Sequence, residues 1–184
     1  IDEAFSSINT DKDTGFSVSM PVGVSEFIEK MELEVPGCSE SMTTVMELAR
    51  LVTDGVEWLA EHNNEPNESE MEEMFQKYED LMKIVPVSTD DMLRRIGVPD
   101  KAREIYESYW DYIAADSSKM SFAVYAFMVY TYLTQKPWLA KNRSHEISMA
   151  FDKRIPQLGG KIWYRAKITH INIEDNRVHG VTLD

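Results

Sequence analysis

The sequence predicts an α+β fold that is mainly helical: a helical layer with a short N-terminal strand, followed by a C-terminal helix and a small antiparallel β-meander. Three observations predict it. Apolar residues recur at three- and four-residue spacing through most of the first 140 positions, the period of an amphipathic helix. β-Branched residues gather near the end, in Ile162–Arg165, Ile168–Ile173 and Val178–Leu183, as strands require. Capping and breaking residues punctuate the chain between these runs.

In order, Gly15-Phe16-Ser17-Val18-Ser19-Met20 alternates apolar and polar residues as a half-buried strand does, and Pro21 stops it. A short helix follows from about Ser25, with Phe27, Ile28 and Met31 on one side and Pro36-Gly37 beyond its end. Met42, Val45, Met46, Ala49, Val52, Val56 and Leu59 then mark a long amphipathic helix. Asn67, with Glu70 three residues on, has the spacing of a capping box, and the helix it opens carries Met71, Met74, Phe75, Tyr78, Leu81 and Met82 on one stripe. Ser88 or Thr89 opens a short helix closed at Gly97, and Pro99 favours the start of another, carrying Ala102 to Ile113. Phe122–Leu133, with Ser121 as its cap, is apolar on nearly all sides and is expected at the centre of the core. Ser144 begins a last helix, which Gly159-Gly160 must end, with Pro156 disturbing its final turn. Glu174-Asp175-Asn176-Arg177 reads as the turn of a hairpin.

Composition narrows the function. The chain carries 19 Lys and Arg against 32 Asp and Glu, a net charge of -13, so nucleic acid is not an expected partner. The charge is uneven: residues 1–140 hold 11 basic and 27 acidic side chains, residues 141–184 hold 8 and 5. We therefore divide the chain into a helical domain at 1–140 and a helix-and-meander portion at 141–184. Glu65–Asp80 is the densest acidic run; a solvated helix face is the simpler reading, and a docking face for a basic partner the sharper one. The single cysteine, Cys38, forms no internal disulfide and points to a reducing, cytoplasmic location, with peripheral membrane attachment left open. No apolar run approaches the roughly 20 residues of a membrane span. The chain starts at Ile1 without an initiator Met, and an excised piece of a larger protein is the expectation.

Chemistry is sparse. His62, His145, His170 and His179 are dispersed, and no metal site is expected. His145 stands beside Glu146 at a helix start, either as a polar first-turn residue or as a substrate contact. Phe122 and Tyr125 either pack the core or line a cavity for an apolar ligand. Cys38 lies near a helix start, a setting that lowers thiol pKa values, but no base is beside it in sequence. Neither GxGxxG nor GxxxxGK[ST] occurs, so no phosphate-cradling loop is present, in keeping with only 8 glycines.

The last third is more specific. Arg143-Ser144-His145-Glu146-Ile147-Ser148-Met149-Ala150, Leu158-Gly159-Gly160-Lys161-Ile162-Trp163, Ile168-Thr169-His170-Ile171 and Arg177-Val178-His179-Gly180-Val181-Thr182-Leu183 follow one another in this order. Together they resemble the middle of phytoene-desaturase-like FAD-dependent oxidoreductases, the family of carotenoid desaturases and isomerases and of retinol saturase. Upstream, Gly15–Pro21, Val35-Pro36-Gly37, Gly97-Val98-Pro99, Tyr109-Trp110-Asp111-Tyr112 and Ser121-Phe122 resemble more loosely the substrate-domain insertion of these proteins. Two departures stand out: Pro156 falls where the family helix continues, and Asn142-Arg143-Ser144 stands where many members carry Gly-Gly.

The resemblance implies FAD as cofactor and an apolar, carotenoid- or polyene-like substrate. It places the Lys167 and Ile168 backbone against the FAD adenine, and Arg143 and Ser144 toward the flavin or substrate, with Arg143 pairing with phosphate, with substrate or, in the plainer role, with Glu146. His145, Phe122 and Tyr125 become the substrate-side candidates. The remaining partner is the rest of the same polypeptide, carrying the dinucleotide-binding domain; a homo-oligomer is left open. These residues alone are expected to be inactive and not to retain FAD. The competing class is a noncatalytic, acidic helical protein-interaction module.

Overall fold

The computed structural model describes residues 3–10, 12, 15–109, 113–136 and 138–184, apart from the side chains of Glu3 and Phe5. The chain divides into two compact units, Ile1–Pro137 and Trp138–Asp184. Of the segment Tyr109–Tyr112, residues 110–112 lie outside the described residues.

In the first unit, β1 (Glu3–Asn9) pairs antiparallel with β2 (Phe16–Pro21). The alternation of Phe16–Met20 marked β2, which buries Val18 and Met20; β1 carries no comparable pattern and went unmarked. Six helices follow: α1 (Val24–Glu34), α2 (Ser39–Glu61), α3 (Glu68–Lys77), α4 (Glu79–Ile84), α5 (Thr89–Ile96) and α6 (Asp100–Glu107). The central helix is α7 (Phe122–Gln135), and it packs mainly along α2.

Local chemistry sets most of these boundaries. Asn67 accepts the Glu70 N–H at 3.1 Å while the Glu70 carboxylate accepts the Asn67 N–H at 2.7 Å, a complete capping box for α3. The Ser88 hydroxyl accepts the Asp91 N–H at the start of α5, and Gly97 ends that helix at φ +84°, a conformation only glycine adopts freely. Ser121 precedes α7 but does not cap it, because its hydroxyl donates to the Val85 carbonyl at 2.7 Å.

The stripe from Met71 to Met82 is not one helix. At Tyr78 the backbone leaves helical geometry (φ -119°, ψ 39°) and α3 gives way to α4. The ring of Tyr78 is buried and its hydroxyl donates to the Asp54 carbonyl on α2 at 3.2 Å. A tertiary contact thus overrides a continuous helical period.

The core holds Phe27 and Met31 of α1, Met42, Val45 and Ala49 of α2, Ile105 and Tyr106 of α6, and Phe122, Tyr125, Val129 and Leu133 of α7. Tyr106 meets Phe27 and Tyr125 edge to face, at centroid distances of 6.4 and 5.3 Å.

The second unit contains α8 (His145–Gln157) and a hairpin of β3 (Ile168–Glu174) with β4 (Arg177–Leu183), turned at Asp175-Asn176. Pro156 stays inside α8, and Gly159 (φ +83°) turns the chain as the Gly-Gly pair predicts. Residues 162–165, expected as a strand, are irregular and turn at Arg165 (φ +57°), so the meander reduces to a two-stranded hairpin.

The register of that hairpin places Ile168 opposite Leu183, Ile171 opposite Val181 and Ile173 opposite Val178. Two irregularities, at Thr169 and His179, keep all six apolar residues on one face. No residue of this unit is buried.

Candidate functional site

An apolar groove in the first unit has the clearest chemistry. Val52, Gly55, Val56 and Leu59 recur at helical spacing and turn one side of α2 toward it. Met74 of α3, the α4 residues Leu81 and Met82, and Val85 beyond them form a second wall, and Ala123, Val124 and Phe127 of α7 a third. The volume is about 420 Å³, within the range of small-molecule sites. Ser121 is the only polar side chain of the lining, and its hydroxyl is already engaged with Val85. No charged side chain lines the groove. It offers dispersion and desolvation to an apolar ligand and nothing to a charged one.

Gly55 shapes the floor. A Cβ at this position would stand 2.6 Å from Leu81 Cδ2, closer than carbon atoms tolerate, so the bare glycine on α2 is what leaves room for the free end of the Leu81 side chain. Neither Gly55 nor this use of Leu81 follows from the helical period. The available signal was an isolated glycine in the middle of an apolar helical stripe, which commonly marks close packing.

A second pocket of the same unit, about 520 Å³, is polar, with Ser7, Asn9, Thr10, Glu104, Glu107, Ser108, Asp116 and Ser117 among its lining residues. Burial and the neighbouring Asp90 hold the Glu107 carboxyl above the usual range, against the pull of Arg103 and Ser117. Behind it, the Arg103 guanidinium donates to Asp90 at 2.9 Å and Asp100 at 2.5 Å. Hydrogen bonding from Arg94 is the main cause that holds Asp90 below the usual carboxylate range. Among the described residues no group of three or more His, Cys, Asp and Glu side chains is placed to hold a metal. The Cys38 thiol is buried, and burial together with Glu32 pushes it up, away from reactivity.

The residues singled out in the sequence fall in different places. Phe122 and Tyr125 are fully buried, and the Tyr125 hydroxyl donates to the Tyr106 carbonyl at 2.6 Å. Their helix neighbours Ala123, Val124 and Phe127 face the groove. In the second unit, His145, Ser148 and Asp152 share one side of α8 and line a pocket of about 380 Å³ with Met149, Phe151, Ile162 and Tyr164. The Tyr164 hydroxyl donates to the Asp152 carboxylate.

Arg143 and Ser144 are exposed at the start of α8. Asn142 (φ +65°) and Arg143 (φ +82°) both adopt the left-handed backbone that glycine favours. Arg143 and Glu146 are joined through the backbone, the Glu146 N–H donating to the Arg143 carbonyl at 3.2 Å. The Lys167 carbonyl accepts the Asp184 N–H at 2.9 Å, and Ile168 pairs with Leu183. These residues offer a backbone edge and a helix start, without the glycine-rich cradle that a pyrophosphate needs. Taken alone, they do not fit a complete dinucleotide.

Among the described residues no helix is long and apolar enough to cross a membrane. No family model, curated protein or solved structure matches the chain.

Proposed function

We propose that this chain is part of a FAD-dependent oxidoreductase of the phytoene-desaturase-like kind, acting on an apolar, carotenoid- or polyene-like substrate. The groove between α2, α4 and α7 is the observation that carries the substrate: an uncharged channel whose one hydroxyl is already satisfied suits a hydrocarbon chain and disfavours a polar one. The redox half rests on the resemblance of residues 140–184. The left-handed backbone at Asn142 and Arg143 supports it, because that is a backbone conformation glycine adopts without strain. So does the apolar face of the β3–β4 hairpin, which suits a surface that packs on a further layer.

When bound, FAD supplies the hydride chemistry, and the protein's part is to orient the substrate and exclude water. The pyrophosphate cradle has to come from outside these 184 residues. The test is the visible spectrum of the purified complete gene product, which is expected to carry stoichiometric flavin, while Ile1–Asp184 alone retains none. A complete product without flavin and without a GxGxxG segment defeats the reading and leaves the acidic interaction module in its place.

A further inference from the structure

We infer that Gly55 and Leu81 together set the size of the apolar molecule the groove admits. The inference rests on the groove being an apolar-ligand site, and it assigns the limit to one contact. Both residues line the groove, and Leu81 Cδ2 occupies the space where any larger residue at 55 would place its Cβ. Tyr78 Cδ1 stands 4.0 Å from the same point, and Tyr78 is itself buried and tied to Asp54. An added methyl displaces the free end of Leu81, and because Leu81 itself lines the groove the displaced end is expected to turn into it. The groove loses the space that the isobutyl group takes up. The gate is steric and carries no charge, so it selects by bulk and length.

The test uses the 184-residue chain and displacement of the fluorescent apolar probe N-phenyl-1-naphthylamine by octanol, decanol and dodecanol. Gly55→Ala is a sound variant because alanine is the better helix former, so α2 is strengthened. It is expected to weaken dodecanol binding by about 10-fold, with a smaller loss for octanol, in line with what a methylene's worth of lost space does in an apolar pocket. Leu81→Ala in the Gly55→Ala background removes the displaced group and is expected to restore dodecanol binding. Equal affinities for wild type and Gly55→Ala overturn the inference, as does a double variant that stays as weak as Gly55→Ala. A wild-type chain that takes up neither probe nor alcohol overturns the groove reading itself, and the inference falls with it.

Discussion

Glu107 stands where a charged network meets a pocket, and its energetics follow from that position. One carboxylate oxygen is shut off from solvent without a hydrogen-bond partner among the described residues, while Asp90, Arg103, Arg94 and Ser117 act on the group from nearby. Its folded pKa is raised, so the folded chain holds the proton more tightly than the unfolded chain does. Stability from this group therefore grows as pH falls through the folded pKa, and is fully present below the unfolded value of about 4.3. Above the folded pKa the charge is a cost. Glu107→Gln is expected to stabilise the chain at neutral pH by about 1 kcal/mol, the group being only part buried. The gain should shrink toward zero near the unfolded pKa. Thermal melts across that range check it, and a neutral-pH melting temperature at or below wild type counts against it. Glu32 has the opposite sign. Its carboxylate accepts the Gly37 and Ser39 N–H groups at 2.7 and 2.8 Å and is held below the usual range, so its stabilisation is lost as pH falls through its folded pKa. Neither role was legible in the sequence, which shows acidic residues in abundance and not which of them lose their water.

At the scale of elements, α3 depends on its cap more than on its packing. Met74 is the only buried residue within it, so the reciprocal bonds of Asn67 and Glu70 carry an unusual share of its stability. Asn67→Ala is expected to cost about 1 kcal/mol. Amide exchange should quicken through α3 and leave α2 unchanged; equal acceleration in both would show that the cap acts on the whole unit. Asn67 and Glu70 were legible because a capping box is a contact between residues three apart. The break at Tyr78 was not, because it depends on the Asp54 carbonyl of another helix. Residues 162–165 failed for a related reason: Ile162, Trp163 and Tyr164 favour a strand, yet among the described residues no strand pairs with them, and an unpaired run cannot satisfy its backbone as sheet.

The molecule as a whole distributes its stability unevenly. Core residues from α1, α2, α5, α6 and α7 are buried in the first unit, whereas the second unit buries none. Amides of α2 and α7 are therefore expected to exchange slowly and those of β3 and β4 quickly. Protection of the hairpin equal to that of α7 in the 184-residue chain would contradict this. The charge contrast between residues 1–140 and 141–184, and the change in character between them, were plain in the sequence. The sequence by itself determined the helical periods, the caps, the glycine turns and the hairpin, because each is decided by residues a few positions apart. Only the tertiary structure decided that Gly55 admits Leu81, that Val124 and Phe127 face the groove while Phe122 and Tyr125 fill the core, and that one carboxylate among many is desolvated. Those outcomes depend on which distant surfaces meet, and the free energy of burial is set by that meeting.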